Sequence, residues 1–314
     1  MRVNRRDFVR TLFAASLAGG LSRLRAGTNV SPTDTLNFAI IGDWGRHGRP
    51  DQTAVAQQMA LACDQAKARF VISVGDNFYE DGAASVDDPH WQRSFEQVYA
   101  APSLQVPWYV ILGNHDYRGS VEAQLAYAKT HPRWGMPARH FQQSHMLPGG
   151  ATADFFYIDT SPMIAEYMHE PHMPEVTKQD VPAQLAWLDG ALAASKAPWK
   201  LVFGHHPIYS AGIGHGSQED MIRLVLPLLQ KHGVQAYIAG HDHDLQHLRT
   251  GNLHLIISGG GSEHRLVGEL PETIFGLPVS GFALASLGKD DLQVRYIDDK
   301  GALLHTAQVP RVSG

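Results

Sequence analysis

The sequence predicts one α/β domain, on three observations. Short apolar runs alternate with segments of helical periodicity. No tandem repeat, low-complexity tract or linker interrupts that alternation. Five of the apolar runs end in a glycine followed at once by Asp, Asn or His. That is the strand end at which open α/β sheets place their sites.

The first strand is expected at residues 36–41, where LNFAII runs into Gly42. A helical pattern follows at 51–69, and the strand FVISV at 70–74 returns from it. Trp91, Phe95 and Tyr99 share one face of a helix at 91–99, and WYVIL forms a strand at 108–112. A strand at 155–158 precedes a helix at 182–194, which opens on Pro182. A strand at 200–203, a helix at 218–232 and a strand at 236–238 continue the alternation. LRTGNLHLII then reads as a hairpin about Gly251-Asn252, with its second strand at 253–257. Two more strands, at 282–287 and 292–297, give the latter half an antiparallel character.

The chain has 314 residues, 44% of them hydrophobic, enough for a sizeable core. Its one cysteine, Cys63, excludes a thiolate zinc cluster and a disulfide framework. Eighteen histidines are the unusual feature, because neutral imidazole is the commonest metal ligand.

The N-terminus, MRVNRRDFVRTLFAASLAGGLSRLRAG, has a basic front and a short apolar stretch at 11–21. That stretch is too short to span a membrane and reads as an export signal, with no transmembrane anchor expected. Arg5-Arg6 before Asp7, Phe8 and Val9 resembles a twin-arginine signal. The expected partner is the twin-arginine export machinery, the expected location a bacterial periplasm or the exterior, and the expected cleavage is near Ala26. Residues 1–26 are thus an expected signal peptide, and 27–314 the expected catalytic domain. Losing residues 1–26 leaves 20 basic against 30 acidic side chains, a charge near −10. Nucleic acid is therefore not an expected partner.

The five strand-end motifs are GDWG (42–45), GDNFY (75–79), GNHD (113–116), GHHP (204–207) and GHDH (240–243). Glycine lets the backbone turn sharply there and approach a ligand closely. Two cations ~3.5–4 Å apart need a bridging carboxylate and several hard or borderline donors. The motifs supply carboxylates, an amide, imidazoles and a phenol. A mononuclear zinc site needs only three or four ligands, and an octahedral magnesium site rarely uses three histidines.

On these motifs the chain resembles the calcineurin-like metallophosphoesterases. Within them it is most similar to the purple acid phosphatases of the small, tartrate-resistant type. The similarity continues through VGDNFYEDG, VPWYVILGNHDYRG, AQLAWLDGAL and GHHPIYSAG, over roughly residues 36–300. The resemblance implies a four-layer α/β/β/α sandwich of two mixed β-sheets flanked by helices. It implies that Asp43, Tyr79 and His243 bind Fe(III). Asn114, His205 and His241 would bind a divalent Fe, Zn or Mn, with Asp76 bridging. Tyr79 discriminates, because phenolate charge transfer to Fe(III) gives that family its colour.

The implied activity is hydrolysis of phosphate monoesters in acid, by attack of a metal-bound hydroxide. His115 would stabilise the transition state or protonate the leaving group. His215 is a second catalytic candidate, although its spacing from GHHP is one residue longer than in the family. Two other readings stand beside this one. One is a phosphodiesterase on the same scaffold; the other is a non-catalytic metal- or phosphate-binding or redox protein.

Asp116 is expected to orient His115 or to close a turn. His206, next to a ligand on an extended chain, is expected to point away from the metals, toward a ligand's far side or the substrate rim. Asp242 is expected to turn away for the same reason. Asp244 and His247 read as loop polar groups or as hydrogen-bond partners of ligands rather than ligands themselves, His247 at the surface, and Asp159 as structural. Gly259-Gly260-Gly261 lacks the spacing of a nucleotide loop. Residues 161–180 read as an irregular loop at the site's mouth. There Tyr167, His169 and Glu170 are candidates for setting substrate choice, or the loop is simply exposed.

Overall fold

The computed structural model describes residues 34–311, so the expected signal peptide lies outside the described residues. In chain order the elements are β1 (Leu36–Ile41), α1 (Pro50–Ala66), β2 (Val71–Ser73), β3 (Trp108–Val110), α2 (Val121–Thr130), β4 (Trp134–Gly135), β5 (Phe141–Met146) and β6 (Thr152–Tyr157). They continue with α3 (Val181–Ala194), β7 (Trp199–Phe203), α4 (Glu219–Leu224), α5 (Leu226–Lys231), β8 (Ala236–Ala239), β9 (Leu245–Thr250) and β10 (Leu253–Ser258). The last four are β11 (Thr273–Leu277), β12 (Gly281–Leu287), β13 (Asp291–Asp298) and β14 (Leu303–Pro310).

The strands form two seven-stranded mixed sheets, ordered β14-β13-β12-β1-β2-β3-β4 and β11-β9-β10-β8-β7-β6-β5. β1, β2, β3 and β4 run parallel, as do β6, β7, β8 and β10. Strand alternation sends successive side chains to opposite faces. Phe38 and Ile40 therefore meet Phe155, Phe203 and Ile238 of the other sheet in the central core. Their neighbours Ala39 and Ile41 pack outward against Val55 and Met59 of α1 and Tyr127 of α2. On the far side, Phe156 and Val202 pack against Leu188 and Leu192 of α3, Met221 of α4 and Leu229 of α5. The result is the expected four-layer α/β/β/α sandwich.

Several expected boundaries shift. The helix expected at 51–69 ends earlier, because Lys67 turns left-handed at φ 54°. The helix expected at 91–99 is a six-residue π-helical turn, Trp91–Glu96. The helix expected at 218–232 breaks at Val225, just before Pro227, whose ring nitrogen has no hydrogen to donate. Four strands are absent from the sequence reading: β4, β5, β11 and β14. They are the four edges of the two sheets. Edge strands carry polar residues, as QQSH in β5 and HTAQ in β14 do, so their apolar signal is weak.

Candidate metal centre

The five motifs lie at the C-terminal ends of adjacent parallel strands. β1, β2 and β3 lead into Asp43, Asp76, Tyr79 and Asn114. β7 and β8 of the other sheet lead into His205, His241 and His243. Carboxylates, phenol and amide thus come from one sheet and all three imidazoles from the other. Asp43, Asp76 and His241 adopt left-handed backbone, at φ 60°, 50° and 69°. Asp and His tolerate that region better than most residues. The preceding or facing glycines are required by close approach. A Cβ at Gly113 would lie 2.2 Å from Asp76 Oδ1, and one at Gly240 would lie 2.5 Å from Asp43 Oδ2.

All seven expected ligand residues are buried and converge in two groups. In the first, the Tyr79 hydroxyl stands 3.0 Å from Asp43 Oδ1, 2.8 Å from Asp76 Oδ2 and 3.1 Å from His243 Nε2. In the second, His205 Nε2 stands 3.1 Å from Asn114 Oδ1 and 3.3 Å from His241 Nδ1. Asp76 joins them, with Oδ1 3.5 Å from His205 Nε2.

Proton counting shows what such an arrangement lacks. The single phenolic hydrogen of Tyr79 faces two carboxylate oxygens and an imidazole nitrogen. His205 gives its Nδ1 hydrogen to the Val74 carbonyl at 2.9 Å, so Nε2 presents a lone pair to the Asn114 carbonyl oxygen. In each group acceptors outnumber hydrogens, and a cation in each would resolve the conflict. Hard oxygen donors with imidazoles suit iron, zinc or manganese.

Without a cation, burial and then the neighbouring Asp76 charge push the Asp43 carboxyl well up, against an opposing pull from His205. Burial also pushes Asp76 up. The His205 and His115 imidazoles and the Tyr79 hydroxyl outweigh it and hold Asp76 below the usual range. Burial, then the Asp43 and Asp76 charges, push the Tyr79 phenol well above its ordinary value. Bound cations would reverse that direction.

His115 lies beside Tyr79, ring centroids 4.3 Å apart. Its Nδ1 hydrogen goes to the Glu80 carbonyl at 2.5 Å, which turns Nε2 inward, 3.9 Å from Asp76 Oδ2. Of its two readings, Asp116 takes that of the turn carboxylate and not that of an orienter of His115. It is fully buried and accepts from Gly113 N, Asn77 N and the Gln124 amide, tying the β2 and β3 loops together. Burial, then Asp76, push its carboxyl up to about 8.

The His215 ring lies 4.1 Å from the His241 ring, tilted 31° to it, and accepts from Arg265 Nη1 at 3.0 Å. Asp242 turns away from the centre, as expected. It accepts from the Ser210 hydroxyl and from the His215 and Gly216 amides, and so holds the His215 loop.

Two expectations are corrected. His206 supports a ligand, one of its two readings, but it is not turned away or at a rim: it is fully buried, its ring 4.4 Å from that of His241. Its nitrogens meet Thr160 Oγ1 at 2.8 Å and the Tyr167 hydroxyl at 3.1 Å. The chain after Gly204 is no longer an extended strand, so strand alternation does not apply. His247 is buried rather than exposed, because it lies on β9 and not in a loop. It bonds His305 and His254 at 3.1 and 2.9 Å. Asp244 is a hydrogen-bonded loop residue, as expected; it is buried and accepts from Gln246 at 2.8 Å.

Residues 161–180 are not irregular but fold into three 3-10 turns with Met163, Ile164, Met173 and Val176 buried. Tyr167 reaches the centre through His206. Among the described residues no hydrogen bond brings His169 there, and the Glu170 carboxylate accepts from the His172 amide, away from the centre. Asp159 is structural, buried against the Tyr117 hydroxyl.

Sequence reasoning missed Arg46, Glu263 and Arg265. Arg46 immediately follows GDWG, and its guanidinium lies 3.9 Å from the Tyr79 ring centroid. Glu263 comes 3.8 Å from His243 Nδ1, a buried atom with no hydrogen-bond partner. Only the adjacency of Arg46 to GDWG offered a signal.

Residues 36–245 match the calcineurin-like phosphoesterase family. Purple acid phosphatase 7 of Arabidopsis thaliana is 36% identical over 98% of this chain and 95% of its own length. Tartrate-resistant acid phosphatase type 5 of Sus scrofa is 34% identical over 96% of this chain and 94% of its own. A Plasmodium structure, GAP50, the anchor in the inner membrane complex, superposes with a TM-score of 0.76 at 26% identity. That match covers 89% of this chain and 90% of the other.

Proposed function

The chain belongs to the calcineurin-like phosphoesterase family and, within it, to the purple acid phosphatases; from that premise we propose that it hydrolyses phosphate monoesters in acid at a binuclear centre. Asp43, Tyr79 and His243 would hold Fe(III). Asn114, His205 and His241 would hold a divalent Fe, Zn or Mn, with Asp76 shared. When bound, the cations neutralise phosphoryl oxygens and activate water at low pH. The single observation that carries the reading is the Tyr79 hydroxyl set among Asp43, Asp76 and His243, at 2.8 to 3.1 Å.

The chain's own residues orient the ester and manage the leaving group. The Glu80 carbonyl holds the Nδ1 hydrogen of His115, so a second proton sits on Nε2, which faces the centre. From there Nε2–H donates to the leaving oxygen. Asp242 positions the His215 loop on the opposite flank. The twin-arginine-like start supports export to a periplasm or the exterior. No helix among the described residues is long and apolar enough to cross a membrane.

The test is a panel of aryl and alkyl phosphate mono- and diesters between about pH 4 and 8, with both metals confirmed by analysis. Monoesters are turned over faster than diesters, and His115→Ala lowers kcat by about 10²–10⁴-fold with metal retained. A metal-loaded protein that releases no phosphate from any monoester overturns the proposal. Faster diester turnover favours a phosphodiesterase. The Plasmodium relative is described as an anchor, so the fold alone does not carry hydrolysis. A His115→Ala protein with unchanged function would favour a binding or redox role.

A further inference from the structure

Arg46 is buried to 6% exposure, yet it carries a full charge beside the centre. Its backbone N–H is held by the Gln52 side-chain oxygen at 3.0 Å. Every arm of its guanidinium has a partner. Nη1 donates to Glu80 at 3.0 Å, Nη2 reaches Glu263 at 2.7 Å and Nε donates to Ser262 Oγ at 3.2 Å. Ser262 Oγ in turn donates to the Asp43 carbonyl at 2.6 Å. In-plane bonding of this kind fixes the plane and leaves a flat cationic face free. That face lies against the Tyr79 ring, 3.9 Å from its centroid.

Both counter-charges stand outside. The Glu80 and Glu263 side chains are 65% and 41% exposed, so water screens them, while the guanidinium face is dry. The contribution of this cluster to the field at the ring is therefore positive. A neutral phenol gains modestly from such a cation; a phenolate, with its charge spread over the ring, gains more.

We propose that Arg46 is a positioning residue that tunes the metal at the tyrosine end of the centre, by stacking a fixed cation on the Tyr79 phenolate. The proposal rests on the reading that Tyr79 is a phenolate ligand of Fe(III). The cation stabilises the ring's highest filled orbitals more than the more distant iron. It thereby raises the energy of ring-to-iron charge transfer and weakens the phenolate as a donor. A weaker donor favours the reduced iron, so Arg46 raises the midpoint potential. Arg46 also keeps Glu263 engaged, 3.8 Å from His243 Nδ1 and beyond hydrogen-bond reach.

The experiment uses full-length protein loaded with iron, its iron content measured, as wild type, R46Q, R46K and R118Q. Variants are made in an E263Q background as well, so that no freed carboxylate acts on His243. R46Q moves the visible band to longer wavelength and lowers the midpoint potential at unchanged iron content. R46K, which keeps a charge but not the planar fork, shifts the band the same way by less, and it carries the test where R46Q does not fold. R118Q, which removes an exposed arginine 3.3 Å from His115 Nδ1, leaves the band in place. A coloured wild type whose band and potential stay fixed in both Arg46 variants overturns the role of Arg46 alone. An iron-loaded wild type with no visible band overturns the Tyr79 ligand reading, and the Arg46 proposal with it.

Discussion

An acid phosphatase must stay folded in acid, and the buried histidine chain sets a limit on that. His305, His247 and His254 bond in a row at 3.1 and 2.9 Å, joining β14 of one sheet to β9 and β10 of the other. Each neutral imidazole has one hydrogen to give and one lone pair to receive it, so the row is satisfied only while uncharged. Burial, then the His254 and His305 imidazoles and Arg249, push His247 down to about 3. Burial, then Arg249, push His254 down to about 4. Unfolded imidazoles titrate near pH 6.5, so the unfolded chain takes up these protons first. The stability they contribute is full above about pH 6.5 and is lost as pH falls toward about 3 to 4. Between pH 7 and pH 5 each costs about 2 kcal/mol, and the pair about 4 kcal/mol. His254→Leu removes one titrating group. It also orphans His247 Nε2, a cost of about 1–3 kcal/mol that is present at both pH values. The informative quantity is the difference: the loss from pH 7 to pH 5 becomes about 2 kcal/mol smaller in the variant. Urea unfolding at the two pH values, at equal metal loading, measures it. An equal loss in wild type and variant refutes the reasoning.

Two further outcomes follow from close contacts at the centre. Gly113→Ala sets a Cβ 2.2 Å from Asp76 Oδ1 and displaces the shared carboxylate. Bound metal falls by at least about tenfold in affinity while far-ultraviolet circular dichroism is unchanged, which metal analysis after dialysis reads out. Asp242→Ala frees the His215 loop from the Ser210, His215 and Gly216 donors. kcat/KM falls by up to about 100-fold at unchanged metal content, and Asp242→Asn, which keeps one acceptor oxygen, recovers part of it.

What was legible in the sequence was whatever one strand and its end encode. Gly42-Asp43, Gly75-Asp76, Gly113-Asn114, Gly204-His205 and Gly240-His241 each state a strand, a turn and a donor within a few residues. What was not legible depends on groups with no local signature. His115 is oriented by the Glu80 carbonyl, and a backbone oxygen leaves no mark on residue type. Arg46 meets Ser262 from 216 positions away, so only the folded chain joins them. His247 read as a loop group because the polar strand LQHLRT lacks an apolar alternation. Its place in the interior follows from pairing with His254 and His305, which no single segment predicts.

Contacts within the protein hold the donors in place. One oxygen of each carboxylate is engaged by backbone: Asp76 Oδ1 accepts from His115 N at 2.8 Å, and Asp43 Oδ2 from His241 N at 2.9 Å. That leaves Asp76 Oδ2 and Asp43 Oδ1 aimed together at Tyr79. The left-handed backbone at Asp43, Asp76 and His241 costs about 1–3 kcal/mol at each position and persists only where the surroundings over-determine it. Here the surroundings are both sheets: Asp43 N bonds the Gly75 carbonyl within one sheet, and His241 N bonds the Asp43 carboxylate across to the other. Each expected cation likewise draws ligands from both sheets, Asp43 and Tyr79 with His243 at one position, Asn114 with His205 and His241 at the other. Metal affinity is therefore linked to the packing of one sheet against the other, and anything that loosens that packing acts on the centre without touching a ligand.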